Sequence, residues 1–262
     1  ALMLSMDVDH PDIIDFGNVK REWEKVTSAN ISVRFNDKFF ENIDTPKNQE
    51  IVNEIAKSNW QSGEPGSLYW DRVKNWHLLQ YHPEYIMTST NPCGEQPLPE
   101  YGSCLLGSLN LSNFVLDPYT KNARVDYERL KKITKVAVVG MNEVLDEGIT
   151  LHPLKGQQET AKKFRQIGIG IMGMADMFIK LGIKYGSKES IKLSTELSNF
   201  IRDAALMHSV TMAKELGAYP AFDAEIVSKS DYFKSLPQDL QEAITTHGMR
   251  NSHVLSIAPT GL

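Results

Sequence analysis

Three side chains that could act together on one substrate stand at alternate positions of a short polar stretch, residues 88–98. They are the amide of Asn91, the thiol of Cys93 and the carboxylate of Glu95. In an extended chain, positions i, i+2 and i+4 point to the same side, so these groups would line one face. Such a face suits a substrate with neighbouring hydroxyl groups. The carboxylate takes a proton from one hydroxyl, the amide holds another, and the sulfur attacks what lies between them.

The residues around this face restrain it. Pro92 and Pro97 stiffen the segment, and Gly94 lets a ligand approach the backbone closely. The second cysteine of the chain, Cys104, follows a turn and can return close to Cys93. Two alternatives stay open: two structural thiols beside a polar turn, or a thiol–disulfide oxidoreductase, although the spacing lacks the helix N-terminal activation of a Cys-x-x-Cys site.

The composition disfavours several classes of protein. The chain has 262 residues, 41% of them hydrophobic and 23% charged, with a formal net charge of -5, which is typical of a soluble globular protein. General nucleic-acid binding requires a basic surface, and no apolar run is long enough to span a bilayer. We therefore predict a cytoplasmic protein that binds neither nucleic acid nor membrane.

No metal site is predicted. Two cysteines are too few for a zinc site made of four thiolates, and the pair His77 and His82 has no Cys-x-x-Cys to complete a mixed site. If the cysteines have a chemical role, it is thiol chemistry.

Alternating strands and helices must position these residues. The hydrophobic pattern predicts strands over 1–9, 30–35, 108–115 and 250–258. It predicts helices from Asp12, over 37–60 with a break at Thr45-Pro46, after the turn Gly63–Ser67, over 127–147 and 157–182, and over 188–216 with a stop at Gly217. Strands separated by long helices favour an α/β architecture.

Two glycine-containing stretches could bind phosphate. Gly168–Gly173 matches the G-x-G-x-x-G pattern, but the preceding residues are polar and helical, and no acidic residue ends a second strand about 20 positions later. We interpret this stretch instead as small residues that let a buried helix pack closely. The turn Ala258–Gly261 exposes backbone N–H groups and a hydroxyl to an anion, and an ordinary turn fits it equally well.

The ordered set of motifs resembles one family. Ser89–Leu98 followed by Gly102–Leu111 is similar to the active-site loop of the large, catalytic subunit of ribonucleotide reductases, most of all the adenosylcobalamin-dependent class II enzymes. The resemblance implies that the glycine-rich stretch belongs to a helix. Agreement extends along nearly the whole chain, through Met6–Ile13, Asn30–Val33, Gly63–Gly66, Arg165–Gly173 and Ser256–Gly261.

The fold of that family is a ten-stranded α/β barrel of two half-barrels, with the cysteine loop threaded through its centre. The resemblance implies that residues 1–262 form a single partial catalytic barrel domain, truncated at both ends relative to the family. We accordingly expect a fragment of a longer protein, and we expect the isolated chain to lack reductase activity.

The resemblance also implies a role for each matching residue. Cys93 would carry the thiyl radical that abstracts the ribose 3'-hydrogen, Glu95 would deprotonate the 3'-hydroxyl, and Asn91 would orient the substrate. Cys104 would be one half of the dithiol that supplies reducing equivalents, with its partner upstream of Ala1. The substrate contacts would come from Asn91, Pro92, Cys93, Gly94 and Glu95, and the phosphate contacts from Pro259, Thr260, Gly261 and Leu262.

Partners and a cofactor follow from the same resemblance. The implied substrate is a ribonucleoside di- or triphosphate, with nucleotide effectors, a thioredoxin-like external thiol reductant and a homodimer of the full-length protein. Adenosylcobalamin, which contains cobalt, is the expected cofactor. The alternatives are a class I large subunit that receives its radical from a separate di-metal subunit, and an inactive remnant or one piece of a split gene.

Overall fold

Helices and strands alternate along the computed structural model, which describes residues 2–22, 25–103 and 105–260. The strands are β1 (Leu2–Asp7), β2 (Ala29–Phe35), β3 (Gly66–Tyr69), β4 (Met87–Thr90), β5 (Pro97–Pro99), β6 (Leu106–Asn110), β7 (Val115–Leu116), β8 (Arg124–Val125) and β9 (Gly168–Met172). The helices are α1 (Ile13–Asn18), α2 (Asp37–Glu41), α3 (Pro46–Ser62), α4 (Trp70–Asn75), α5 (Tyr127–Leu151), α6 (Lys155–Phe164), α7 (Met174–Leu181), α8 (Lys188–Leu216), α9 (Ala224–Lys229), α10 (Asp231–Lys234) and α11 (Gln238–His247).

The chain divides into two compact units. The first comprises Ala1–Glu100 with Ser230–Tyr232, and the second comprises Tyr101–Lys229 with Phe233–Leu262. Each unit contains parallel strands connected through helices, so the α/β class predicted from the sequence is confirmed. The single partial barrel domain over 1–262 stays a prediction.

A three-stranded parallel sheet, in the order β1-β2-β3, is the framework of the first unit. Parallel neighbours need a crossover connection, which α1 supplies between β1 and β2, while α2 and α3 supply it between β2 and β3. Val33 of β2, Ile13 of α1 and Ile51 of α3 belong to one buried cluster. The strands predicted over 1–9 and 30–35 are confirmed.

The helix break predicted at Thr45-Pro46 is confirmed, but strand β3 was not predicted. We expected a helix directly after the turn Gly63–Ser67, whereas α4 begins only at Trp70. A Cβ on Gly66 would lie 2.8 Å from Ser32 Oγ of β2, so close strand pairing favours glycine there. A strand of four residues is too short to show a reliable period, and its partner strand decides its conformation.

In the second unit, the predictions for the two longest helices are confirmed. α5 covers the predicted helix over 127–147 and buries Leu130 and Val138, and α8 covers the one over 188–216 and buries Leu197. Gly217 ends α8 with a φ of 83°. In the same unit, β6 pairs in parallel with β9.

The single helix predicted over 157–182 is wrong, as is the helical interpretation of Gly168–Gly173. Helix α6 ends at Phe164, the glycine-rich stretch forms strand β9, and α7 begins at Met174. A Cβ on Gly170 would lie 2.4 Å from the Ser256 carbonyl oxygen, so this glycine lets another chain segment lie against β9. Close backbone packing therefore accounts for that glycine.

Of two other predicted strands, the one over 108–115 is divided, and the one predicted over 250–258 is wrong. The strand over 108–115 is interrupted because Asn110 Oδ1 accepts the Ser112 N–H and starts a turn of 3-10 helix before β7 begins. The segment 250–258 forms an isolated bridge, in which Leu255 is parallel to Ile169 of β9. Backbone hydrogen bonds on either side of this bridge still attach the segment to β9.

Over residues 2–22, 25–103 and 105–260, no helix combines the length and the apolar composition that crossing a bilayer requires.

Candidate functional site

The residues predicted to act on a substrate lie at the tip of a short antiparallel hairpin. Strands β4 and β5 pair from Met87 opposite Pro99 to Thr90 opposite Pro97, and residues 91–96 connect them. Cys93 lies in this connection and is exposed, with no disulfide partner among the described residues. The hairpin therefore presents a thiol at its end.

The tip is a turn, so the predicted extended segment is wrong. The Gly94 N–H donates to the Asn91 carbonyl oxygen at 3.0 Å, and the Asn91 N–H donates to the Gln96 carbonyl oxygen at 3.2 Å. Gly94 has a φ of 83°, in the left-handed region that glycine adopts readily. The strict alternation that would place Asn91, Cys93 and Glu95 on one face does not apply, but all three lie within this six-residue connection.

Asn91 has a structural contact that sequence reasoning missed. Its Oδ1 accepts the N–H of Gln96 at 3.0 Å, and this side-chain hydrogen bond closes the turn at the tip. The Nδ2 of the same amide remains the end that could donate to a substrate hydroxyl. Asn91 can thus shape the loop and contact a substrate at the same time.

Gln96 is a second residue of the tip whose structural place the sequence did not predict. Its side chain is 2% exposed, and its Oε1 is buried without a hydrogen-bond partner in the part of the chain that the structure describes. Glu95, immediately before it, is partly buried. Apart from its place at the end of the tip, nothing in the sequence predicts that Gln96 is buried there. Its backbone contact with Asn91 forms only once the turn has formed.

The base of the hairpin is bonded to the parallel sheet. Ser89 Oγ of β4 lies 2.9 Å from Ser5 Oγ of β1. Arg34 of β2 donates from Nη1 to the Thr88 carbonyl oxygen at 2.6 Å. These contacts join residues 84 and 54 positions apart in the chain, so no local pattern could have predicted them.

The other predicted site residues belong to the second unit or lie outside the description. Pro259 and Thr260 fall in the second unit, and Thr260 has a φ of 53°. Cys104, Gly261 and Leu262 lie outside the described residues, so their predicted roles are not addressed by the structure.

A buried polar network holds the chain that leads to Pro259. Asn251 donates from Nδ2 to the Arg165 carbonyl oxygen at 2.8 Å and to Asn142 Oδ1 at 2.9 Å. Its Oδ1 accepts the hydroxyl of Ser209 at 3.0 Å. Asn142 lies on α5 and Ser209 on α8, so these bonds attach the start of the segment to two long helices.

Arg165 extends this network. It is 4% exposed, follows α6 with a φ of 47°, and donates from Nη2 to Asp146 Oδ2 at 2.9 Å. Hydrogen bonding from Arg165 is the largest cause that lowers the pKa of Asp146 below its ordinary value. The charge of the buried guanidinium is therefore balanced by an ionised carboxylate.

Within the described ranges, no three His, Cys, Asp or Glu side chains are grouped so that they could hold a metal ion.

Comparison with known proteins places these features in one family. The family model described as "Ribonucleotide reductase, barrel domain" matches residues 42–261, which includes the hairpin and the end of the second unit. A vitamin B12-dependent ribonucleoside-diphosphate reductase of Mycobacterium tuberculosis is 34% identical over 100% of this chain and 37% of its own length. A ribonucleoside-diphosphate reductase large subunit of Danio rerio is 32% identical over 82% of this chain and 28% of its own length.

A solved structure shares the fold. The class Id ribonucleotide reductase alpha subunit of Actinobacillus ureae matches with a TM-score of 0.77 and 18% sequence identity, over 98% of this chain and 45% of that chain. The present chain spans about a third of the length of the two curated relatives.

Proposed function

Because the chain belongs to the ribonucleotide reductase barrel-domain family, we propose that it carries the radical loop of an enzyme that reduces ribonucleotides to 2'-deoxyribonucleotides. The observation that carries this proposal is the hairpin tip, where the exposed thiol of Cys93 lies in the same short turn as Asn91 and Glu95. A hydrogen-atom acceptor, a hydrogen-bond donor and a carboxylate base are the groups that the reaction needs.

In the proposed reaction, a thiyl radical on Cys93 takes the 3'-hydrogen of the ribose, which leaves a thiol and a carbon radical at C3'. Glu95 accepts the 3'-hydroxyl proton, the C2'–O bond breaks, and the 2'-oxygen leaves as water after protonation. A dithiol supplies the two electrons and two protons: one proton completes the departing water, one hydrogen atom goes to C2', and the remaining electron reduces the 3'-ketone as the disulfide forms. Glu95 then returns its proton to the 3'-oxygen and Cys93 returns its hydrogen atom to C3', which regenerates the thiyl radical. Asn91 orients the ribose through Nδ2, since its Oδ1 already accepts the Gln96 N–H.

Cys104 is proposed as one thiol of that dithiol, on the family resemblance of its sequence context alone. Pro92 and Gly94 are proposed as backbone contacts to the substrate. A Cβ on Gly94 would meet only Leu68, at 3.9 Å, so space beside the tip supports this assignment.

The phosphates are proposed to bind the turn formed by Pro259, Thr260 and Gly261, with Leu262 beside it. The left-handed backbone of Thr260 is typical of turns that direct successive N–H groups towards an anion. The network around Asn251 supports the same assignment, because it would hold the approach to this turn in place.

Adenosylcobalamin is the proposed cofactor, since the M. tuberculosis relative is named as vitamin B12-dependent. When bound, it would supply the radical that oxidises the Cys93 thiol. The Cys93 thiol is exposed, as reaction with a separate radical source requires. A separate radical-generating subunit is the alternative, and the D. rerio relative, which is named as a large subunit, supports it.

We further propose that the full-length protein uses a thioredoxin-like reductant, responds to nucleotide effectors, forms a homodimer and works in the cytoplasm. These proposals rest on the family alone.

The test is deoxynucleotide synthesis by the full-length gene product, supplied with ribonucleoside di- or triphosphates and a dithiol, with and without adenosylcobalamin. We expect product formation by the wild type and none by Cys93→Ser, with unchanged circular dichroism. The conservative variant Glu95→Gln should lose at least about a hundredfold in kcat, because it removes the base. Undiminished turnover by Cys93→Ser would overturn the proposal, and turnover without cobalamin would select the alternative radical source.

A further inference from the structure

The hairpin that carries Cys93 is too small to hold its own shape firmly. Its strands have four and three residues, and their register is irregular between Met87 and Ser89. An isolated two-stranded hairpin is marginally stable in water. Contacts outside the hairpin must therefore fix where its tip lies.

Arg34 provides one of these contacts, through a charged guanidinium. Its Nη1 donates to the Thr88 carbonyl oxygen at 2.6 Å, at the base of the hairpin, and its Nη2 donates to Asp7 Oδ2 at 2.9 Å. The guanidinium also lies 5.2 Å from the centroid of the Trp70 ring. A planar cation held by a carboxylate, a carbonyl and an aromatic face has one preferred orientation.

The partners of Arg34 are themselves fixed by the parallel sheet. Asp7 of β1 is the register partner of Arg34 on β2, and Trp70 directly follows β3. Ser5 of β1 adds a second attachment through its hydroxyl contact with Ser89. We call Arg34, Asp7, Trp70 and Ser5 the hairpin clamp.

We propose that Arg34 is a positioning residue, which sets the place of the Cys93 thiol by clamping the base of its hairpin to the parallel sheet. Thr88 lies five residues before Cys93, so freedom at this base becomes displacement at the tip. Hydrogen-atom transfer tolerates little displacement of the reacting atoms. The consequence for radical chemistry rests on the proposed function, whereas the mechanical role of the clamp does not.

Hydrogen exchange on the 262-residue chain tests the mechanical role. Arg34→Met keeps the aliphatic stem and removes both hydrogen bonds and the charge. We expect the hairpin-tip amides of Asn91, Gly94 and Gln96 to exchange at least about fivefold faster, while the amides in the middle of α8 keep their rates. Arg34→Lys retains a charge and a donor, and should restore part of the protection.

The matched control is Arg21→Met. Arg21 has a similarly buried side chain, 20% exposed against 18% for Arg34, and it bonds Glu54 and Ser58 instead of the hairpin. Its loss should leave the tip amides unchanged. Equal exchange at the tip in Arg34→Met and wild type, or an equal increase in Arg21→Met, would overturn the clamp.

A second measurement uses the full-length gene product. Arg34→Met should lower kcat about tenfold or more without changing the midpoint of thermal unfolding by more than a few degrees, and Arg34→Lys should recover part of the rate. Faster exchange at the tip with unchanged kcat would overturn the positioning role. If the wild type makes no deoxynucleotide, the proposed function fails, and the exchange measurement still decides the clamp.

Discussion

At the scale of single residues, the hairpin tip shows how a side chain can combine two tasks. Asn91 has one acceptor and one donor end, and the acceptor closes the turn through the Gln96 N–H. This bond holds the donor end, Nδ2, in a defined direction, as its proposed contact with a substrate requires. Replacing Asn91 therefore changes the shape of the loop as well as the proposed substrate contact, so its effects on KM and kcat would combine the two.

His77 makes the stability of the chain depend on pH. It is 9% exposed, and burial lowers its pKa to about 4, although a backbone hydrogen bond with Lys74 opposes the shift. The unfolded histidine has a pKa of about 6.5, so between these two values only the unfolded chain binds the proton. The contribution of neutral His77 to the free energy of unfolding is therefore complete above about pH 6.5. It decreases as the pH drops towards the folded pKa, by up to about 1.4 kcal/mol per pH unit.

His77→Phe should remove this dependence, since phenylalanine keeps the ring contact with Tyr85, at 5.6 Å between centroids, and cannot titrate. Urea unfolding gives the free energy of unfolding at about pH 7 and at about pH 4.5. Between these two pH values it should fall by about 2 kcal/mol less in the variant than in the wild type. His82→Phe, at a partly exposed position, serves as the control. Equal losses in His77→Phe and wild type would contradict the prediction.

At the scale of elements, strand β9 depends on a glycine that faces another backbone. Gly170→Ala would place a Cβ 2.4 Å from the Ser256 carbonyl oxygen, so β9 or the segment 254–256 must move. We expect the free energy of unfolding to fall by about 2 kcal/mol.

Gly140→Ala is the matched comparison. Gly140 lies in α5, and a Cβ there would meet no atom within 4 Å apart from those of the adjoining helix backbone. Alanine in a helix interior is favoured over glycine, so this variant should gain about 0.5–1 kcal/mol. Urea unfolding of both variants checks the pair, and a Gly170→Ala variant as stable as Gly140→Ala would show that β9 is not closely packed against its neighbour.

At the scale of the whole molecule, the chain consists of two units, and buried polar groups in the second tie several elements together. Asn251 is fully buried and bonds Asn142 of α5, Ser209 of α8 and the carbonyl of Arg165. Loss of one member leaves the others buried without partners, which costs more than the bonds contribute.

Asn251→Leu should therefore lower the free energy of unfolding by about 3 kcal/mol. Thermal or urea unfolding measures this change. The control Asn122→Ala, at an exposed position, should stay within about 0.5 kcal/mol of the wild type. A small effect of Asn251→Leu would indicate that water or rearranged side chains satisfy the network.

Sequence patterns alone were enough to predict helices α5 and α8, the first two strands and the α/β class. These features depend on local periodicity and on residue types that one segment contains. Helix α5 could be predicted because its apolar side chains repeat over 25 residues, whereas the chemical role of the cysteine loop stays a prediction.

Three features required the folded structure: Gly168–Met172 is a strand, the cysteine tip is a turn, and Arg34 and Asn251 form hydrogen bonds with remote segments. A short apolar run with glycines has no period that separates strand from helix, so its parallel neighbour β6 decides. The contacts of Arg34 with Thr88, and of Asn251 with Asn142, join residues 54 and 109 positions apart. Such contacts exist only after the chain has folded, because no local pattern encodes which distant carbonyl or amide a side chain will meet.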